Sequence, residues 1–143
     1  MQFTDSHCHL DNKNFDEQLA ALLAQCAKLA INRIIIPSIA PDNFDKVINL
    51  AKQFHNNPIK LYACLGIHPW FLNDLNQPHL EQLSRKVLQE KENIIAIGEI
   101  GIDGANIKRN EQPEKELLKQ QYFFDFQLNL AKQQHLPVIV HHR

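Results

Sequence analysis

The chain has 143 residues, of which 44% are hydrophobic, so it has the size of one ordinary domain with a core of its own. Fifteen Lys and Arg against sixteen Asp and Glu leave a formal net charge of −1. This balance excludes a protein that holds nucleic acid through a basic excess alone. Any phosphate substrate must instead be bound locally, by metal ions and a few arginines, within a single domain over residues 1–143.

The cysteines and the apolar runs bear on the compartment. Cys8, Cys26 and Cys64 are an odd number, widely spaced and without a Cys-x-x-Cys pair, which favours reduced thiols over a disulfide scaffold. Residues 1–5 lack the basic start of a signal peptide, and no run approaches the roughly 18 apolar residues of a membrane span. We expect a cytoplasmic protein that does not enter the membrane.

Short apolar runs alternate with longer amphipathic segments along the whole chain. The short runs predict five strands, at residues 2–7, 33–37, 60–66, 94–99 and 137–141. Hydrophobic positions at helical spacing predict four helices, in the segments 15–29, 44–51, 80–87 and 117–131. Pro78 and Pro113 mark first helical turns. The strict alternation and the isoleucine-rich strands predict an α/β fold with a parallel sheet covered by helices.

The longest irregular stretch is predicted at residues 104–112, after the fourth strand. It mixes Gly, Asn, Lys, Arg and Glu. Two interpretations of Lys108 and Arg109 have comparable weight. They belong either to a loop that binds substrate or to a solvated connection between elements.

The segment Asp5 to His9 contains two histidines in the pattern His-x-His. On a strand, residues two apart project from the same face, so His7 and His9 would present both imidazoles together. A metal ion is the ligand that this arrangement favours. Three further polar clusters follow later apolar runs, at residues 66–69, 98–103 and 140–143.

These clusters all fall at the carboxyl ends of predicted strands. His7 and His9 end the first strand, Ser38 follows the second, His68 the third, and Glu99 and His141 end the fourth and fifth. In α/β barrels and open α/β sheets this edge carries the functional site. The remaining histidines, His55, His79 and His135, are predicted to lie on the surface.

Glu99 interrupts a strand that would otherwise be entirely buried, and a buried carboxylate needs a compensating cation. It is therefore either a metal ligand or one half of a structural ion pair. His141 is either a ligand or a core histidine bonded to a carbonyl. His68 is expected to bind substrate or transfer a proton rather than to ligate metal. Asp103 faces the pocket or caps a helix, and Arg143 grips phosphate or frays at the chain end.

Three imidazoles and one carboxylate are a borderline-soft donor set, which suits Zn²⁺, Mn²⁺ or Fe²⁺ better than Mg²⁺. A carboxylate such as Glu99 can also bridge two cations. The sequence therefore predicts divalent metal ions, two if Glu99 bridges, and a water activated for attack on an electrophilic phosphorus or carbonyl carbon.

The four clusters resemble motifs of the TatD family of metal-dependent deoxyribonucleases, within the amidohydrolase-like TIM barrels. Asp5 to Leu10 is similar to D-[ST]-H-x-H-[LF], and residues 66–69 are similar to G-x-H-P. Residues 98–103 resemble G-E-I-G-L-D, and residues 136–143 resemble L-P-V-x-[IV]-H-x-R. The motifs recur in order across the whole chain.

The resemblance implies an activity and a set of roles. His7, His9, Glu99 and His141 would be metal ligands, with Glu99 between two ions and also catalytic. His68 would be catalytic and substrate-binding, and Asp103 and Arg143 would contact substrate. The implied reaction is cleavage of a DNA phosphodiester bond by a metal-activated water. Such relatives are usually assigned Mg²⁺, so the resemblance adds Mg²⁺ to the softer ions that the ligands favour. The expected ion is therefore Zn²⁺, Mn²⁺ or Mg²⁺.

The sequence also departs from the family. A closed (β/α)8 barrel takes about 250 residues, and this chain supplies about five strands and four helices of one, as an N-terminal portion. It lacks a further histidine and a late aspartate of the family pattern. We expect an incomplete barrel with open edges and little activity alone, covered by the missing part or by self-association.

Two alternatives remain from the residues. The first is a hydrolase with the same ligands that acts on a small phosphate ester, amide or lactone. The second is a catalytically inactive fragment whose histidines only pack or bind metal adventitiously.

Overall fold

The computed structural model describes residues 1–54 and 57–143, so the expectation for His55 lies outside the described residues. Within them, five strands form one parallel sheet in the order β1-β2-β3-β4-β5. They are β1 (Phe3–Asp5), β2 (Ile31–Pro37), β3 (Lys60–Leu65), β4 (Ile94–Ile102) and β5 (Val138–His142). The parallel α/β sheet that the alternation predicts is confirmed. Strands that lie side by side in chain order are the arrangement of an incomplete α/β barrel.

The helices connect these strands. In the described residues they are α1 (Leu19–Lys28), α2 (Phe44–Gln53), α3 (Gln77–Gln89), α4 (Gly104–Arg109) and α5 (Pro113–Gln134). Pro78 and Pro113 lie in the first turns of α3 and α5, as predicted. None of the helices within residues 1–54 and 57–143 is long and apolar enough to cross a membrane.

The helix α4 corrects the prediction of an irregular stretch at residues 104–112. The side chain of Asp103 accepts a hydrogen bond from the backbone N–H of Asn106 and so caps this helix. α4 buries none of its six residues. A helix this short and this exposed leaves no hydrophobic periodicity in the sequence, which is why the pattern did not reveal it.

The core lies between the sheet and the helices. Ile34 and Ile36 of β2 are buried, whereas Arg33 and Ile35, which alternate with them, are less covered. α1 packs on β2, α2 on β3 and α5 on β4. The other face of the sheet borders an open cavity of about 380 Å³, lined by Thr4, Arg33, Ile35, Tyr62 and Ile95. One face is therefore a packed core, and the opposite face is partly open.

Candidate metal centre

Glu99 is the centre of the polar cluster at the carboxyl ends of the strands. It lies on β4 and is only 4% exposed. Its Oε2 lies 2.9 Å from Nε2 of His7 and 3.3 Å from Nε2 of His9. Its Oε1 lies 2.9 Å from Nδ1 of His141 and 3.5 Å from Nε2 of His68. Each carboxylate oxygen therefore faces a different pair of imidazoles.

His7 and His9 do not lie on a strand, which corrects the sequence-based prediction. β1 ends at Asp5, whose Oδ1 accepts a hydrogen bond from the backbone N–H of His7 and turns the chain. The loop after β1 still runs alongside β2, because the N–H of Cys8 donates to the carbonyl of Ile35 at 3.0 Å. The two Nε2 atoms nevertheless meet at 3.3 Å. The predicted convergence is observed, but a loop produces it.

Hydrogen bonding fixes the protonation of His141. Its Nε2 lies 2.7 Å from Oδ2 of Asp103, an acceptor-only carboxylate when ionised, so Nε2 carries the proton. In the neutral ring, Nδ1 then presents a lone pair, and this atom lies 2.9 Å from Oε1 of Glu99. A cation or a proton between these two electron-rich atoms would remove their repulsion.

His68 has the opposite arrangement. Its Nδ1 accepts a hydrogen bond from the backbone N–H of Trp70 at 3.0 Å, so in the neutral ring the proton lies on Nε2. This Nε2–H points toward Nδ1 of His141 at 3.1 Å. His68 is therefore a hydrogen-bond donor at the site, whereas His141 presents a lone pair.

The distances between the possible metal-ligand atoms fit a divalent cation. Ligand atoms about 2.0–2.1 Å from one tetrahedral ion stand roughly 3.3 Å apart. The atoms of His7, His9 and Glu99 form a triangle with sides of 2.9, 3.3 and 3.3 Å. A second group of possible donors comprises His68, Glu99 and His141. In that group His141 has the bond to Asp103 that orients metal-ligating imidazoles.

Burial and hydrogen bonding oppose each other at Glu99. Burial raises its pKa, but hydrogen bonds from His68 and His9 outweigh burial and hold the pKa well below the usual range. The hydrogen bond to Glu99 is the main reason that the pKa of His9 is raised. The pKa of Asp103 falls to about 2, because bonds from His141, from the Asn106 backbone N–H and from Trp70 exceed the effect of burial. Both carboxyl groups are therefore ionised at neutral pH.

A family model described as TatD related DNase matches residues 4–143. The chain belongs to the TatD-related DNase family. The uncharacterized metal-dependent hydrolase YjjV of Escherichia coli K12 is 37% identical over 142 residues, 99% of this chain and 51% of that protein. Human deoxyribonuclease TATDN3 is 28% identical over 97% of this chain and 51% of its own length.

Solved structures agree with this assignment. The crystal structure of YjjV has a TM-score of 0.86 at 36% identity, over 99% of this chain and 51% of the other. A TatD family hydrolase from Entamoeba histolytica has a TM-score of 0.83 at 25% identity, over 100% of this chain and 50% of the other. The resemblance to the TatD family and the incomplete TIM-barrel fold are confirmed. The chain spans about half the length of the curated relatives it matches.

The other predicted site residues of this TatD-family chain separate into two groups. Arg143 lines the cavity that contains the metal-ligand candidates. Asp103 does not, because it is fully buried and its carboxylate bonds His141 and the start of α4. Its placement behind His141 differs from the expected substrate contact. Ser38 is also buried. Its hydroxyl bonds the backbone of Gly66, and its carbonyl accepts the N–H of Glu99 at 3.0 Å.

Sequence reasoning missed several residues of this cavity, which has a volume of about 760 Å³. Asp11 is buried, and its Oδ1 lies 3.9 Å from Nδ1 of His9. The sequence signal was its position two residues after His9. Lys13 and the aromatic side chains of Trp70 and Phe71 also line the cavity. Trp70 was visible in the sequence only as a neighbour of the Gly-x-His-Pro segment.

Proposed function

We propose that the protein is a metal-dependent hydrolase of DNA phosphodiester bonds that holds two divalent ions, one at each carboxylate oxygen of Glu99. The observation that carries this proposal is the pairing of Oε2 with His7 and His9 and of Oε1 with His141. The human relative TATDN3 is named a deoxyribonuclease, which supports the choice of substrate. Zn²⁺, Mn²⁺ and Mg²⁺ are the candidate ions.

Each residue has a distinct part in this proposal. His7, His9 and His141 would supply imidazole ligands, and Glu99 would supply the carboxylate shared between the ions. A divalent ion held there supplies a Lewis acid and lowers the pKa of water. Asp103 holds His141 in the tautomer whose Nδ1 is free. His68 directs its Nε2–H into the site, where it can donate to a phosphate oxygen or protonate a leaving group.

Cations on the cavity wall suit a phosphodiester. Arg143 and Lys13 both line the cavity around the cluster. A guanidinium pairs with phosphate through two parallel N–H bonds, which fixes orientation as well as charge. Lys46 is a third cation in this lining, and three carboxylates in the same lining balance them. Divalent ions held there would therefore make the cavity positive where the substrate phosphate would lie.

Metal content and nuclease activity test the proposal together. Protein purified without chelator or tag should contain a divalent metal, and with added Mn²⁺ or Mg²⁺ it should hydrolyse single-stranded DNA. The rate should be low when these 143 residues are assayed alone, because they supply about five strands of the barrel. Glu99→Ala and His7→Ala should lose metal and activity. His135→Asn is the matched control, because His135 precedes β5 at the opposite end of the strands and its φ of 55° suits Asn.

Three results would contradict this assignment. If the wild-type protein binds no metal even when divalent ions are added at saturating concentrations, the hydrolase proposal is wrong. Hydrolysis of a panel of small phosphate esters, amides or lactones with no cleavage of DNA would retain the metal centre and replace the substrate. Bound metal with no hydrolysis of any of these would favour the catalytically inactive alternative.

We place this activity in the cytoplasm. All three cysteines, Cys8, Cys26 and Cys64, are free thiols, which favours a reducing compartment. Measuring the location of a tagged protein by fractionation tests this placement, and recovery in an oxidising compartment would contradict it.

Self-association is proposed to cover the open side of the sheet. β1 and β5 are its edge strands, and Val138 and Val140 of β5 are exposed apolar side chains. An unpaired apolar edge favours association with another copy. Light scattering should give a dimer or larger species that Val140→Lys reduces to a monomer, whereas a monomeric wild type would reject the proposal.

A further inference from the structure

Trp70 is a large aromatic side chain held at the rim of the metal-centre cavity, with 46% of its surface exposed. It lies in the short turn Pro69–Phe71 that follows His68. The bond from its backbone N–H to Nδ1 of His68 anchors this turn. The Trp70 ring meets the His68 ring edge-on, with centroids 5.9 Å apart. The indole is therefore fixed but half-exposed, and only His68 separates it from Glu99.

Trp70 and Phe71, which we call the aromatic platform, separate two cavities. Both side chains line the cavity of about 760 Å³ that contains the metal-ligand candidates. Both also line a second cavity of about 560 Å³ on the other side. Phe71 is 43% exposed, with its ring centroid 5.7 Å from that of His68. The platform is therefore accessible to a ligand that extends beyond the metal centre.

Charge differs between the two sides of the aromatic platform. The metal-centre cavity includes Arg143, whose guanidinium carbon lies 6.0 Å from the centroid of the Trp70 ring. Asp42 lines both cavities. Among the described residues, the second cavity adds Asp74 and has no Lys or Arg in its lining. A phosphodiester backbone would therefore remain on the metal-centre side, while an uncharged planar group could reach across the platform.

We propose that a nucleobase of the substrate strand, next to the scissile phosphodiester, stacks on Trp70. This inference rests on the proposed function and deepens it. It makes an unpaired nucleotide the preferred ligand, because a base inside a duplex already has stacking neighbours. Stacking of a base on an aromatic side chain tolerates any sequence, so it adds affinity without base preference.

Trp70 is the only tryptophan of the sequence, so the tryptophan fluorescence of the protein reports on this residue alone. A short oligothymidylate should quench the tryptophan fluorescence of the Mg²⁺-loaded protein within the first moments of stopped-flow mixing, before turnover. An abasic strand of the same length offers the same phosphates without bases and should leave the fluorescence unchanged. Anisotropy of a labelled strand measures binding independently.

Two variants separate stacking from folding. Trp70→Ala should weaken binding of oligothymidylate about 5- to 150-fold more than binding of the abasic strand, the range given by base–aromatic stacking. Both Trp70→Ala and Trp70→Phe lose the indole bond to Asp103, so the comparison between them isolates the ring. Trp70→Phe keeps a planar ring and should bind within a few-fold of wild type. The wild-type fluorescence readout remains valid even if Trp70→Ala fails to fold.

The outcomes distinguish this inference from the proposed function. If oligothymidylate binds by anisotropy and is hydrolysed without any change in tryptophan fluorescence, the stacking role is wrong and the hydrolase proposal stands. Equal loss of affinity for the base-bearing and abasic strands in Trp70→Ala would also overturn stacking. If no strand binds by either readout, both proposals fail.

Discussion

His68 and His141 approach the same oxygen of Glu99 with opposite hydrogen-bonding character. The backbone N–H of Trp70 occupies Nδ1 of His68, and the carboxylate of Asp103 occupies Nε2 of His141. The first ring therefore offers a proton and the second a lone pair, although both are histidines that end a loop or strand at the same edge. At this scale the bonding partner of the remote ring nitrogen decides the role of the residue.

Asp103→Asn tests that conclusion. The amide has no charge and can reverse its donor and acceptor atoms, so His141 loses the carboxylate that holds its tautomer. We expect affinity for Zn²⁺ or Mn²⁺ to fall about 10- to 100-fold, as measured by calorimetric titration. Asp125→Asn, an exposed change on α5, is the matched control. Unchanged metal affinity in Asp103→Asn would contradict the positioning role.

The pairing of β4 with β5 positions Glu99 against His141, and Gly101 is the residue that allows it. Gly101 has a φ of +152°, and a Cβ there would lie 2.1 Å from the backbone oxygen of His141. The strands pair at this position, with Gly101 opposite His141. Any side chain would therefore push away the strand that carries a metal-ligand candidate.

Gly101→Ala should lower the free energy of unfolding by about 1–3 kcal/mol from backbone strain alone, and by more through displacement of β5. Urea unfolding followed by circular dichroism measures the loss. Gly104→Ala is the matched control, since its Cβ would approach the Arg143 oxygen only to 3.1 Å. Equal stability of the two variants would contradict this account of the strand pairing.

Helix α2 is tied to the end of α3 by an ion pair between Lys52 and Glu90, with Nζ 2.7 Å from Oε2. The hydrogen bond from Lys52 is the main reason that the pKa of Glu90 is lowered. Folding thus favours the ionised carboxylate. The contribution of this ion pair to the free energy of unfolding is complete above the ordinary pKa of 4.5. It is lost as the pH falls through the lower pKa that Glu90 has in the folded protein.

Glu90→Gln should therefore cost about 0.2–1 kcal/mol of stability at neutral pH, the range for exposed pairs. The difference from wild type should vanish at a pH well below 4.5. Urea midpoints measured across pH give both values. Glu92→Gln, an exposed change two residues away, should show no such pH dependence. A cost for Glu90→Gln that persisted in acid would rule out the ion pair as its cause.

At the scale of the whole molecule, one buried carboxylate on β4 lies among four imidazoles, which come from the loop after β1, the loop after β3 and strand β5. A cation bound there links those segments in the folded state only. Mn²⁺ or Zn²⁺ at 100 times its dissociation constant should therefore raise the free energy of unfolding by about 2.7 kcal/mol per site.

Thermal melts over a range of metal concentrations measure this effect. Glu99→Ala should abolish the metal-dependent rise in melting temperature, and His135→Asn should retain it. Removal of metal by a chelator should reverse the rise. A wild-type protein whose melting temperature ignores these ions would contradict a metal centre at Glu99.

Local sequence patterns predicted β2 to β5 to within a few residues. The isoleucine-rich runs and the proline positions are properties of short segments, and burial on both faces leaves a readable signal. β4 was predicted to end at Glu99 but continues to Ile102, because Gly101 lets the chain continue beside His141. α4 left no signal, because it depends on one cap rather than on a buried face.

The sequence by itself determined which donor side chains stand at the carboxyl ends of the strands, because chain order and strand parity fix the edge of a parallel sheet. Only the tertiary structure decided what each donor does. Asp103, 38 residues away, accepts the hydrogen bond that keeps the proton on Nε2 of His141, and the ring of His68 meets His141 across 73 residues. Contacts between residues so distant depend on packing of whole elements, and no local pattern encodes them.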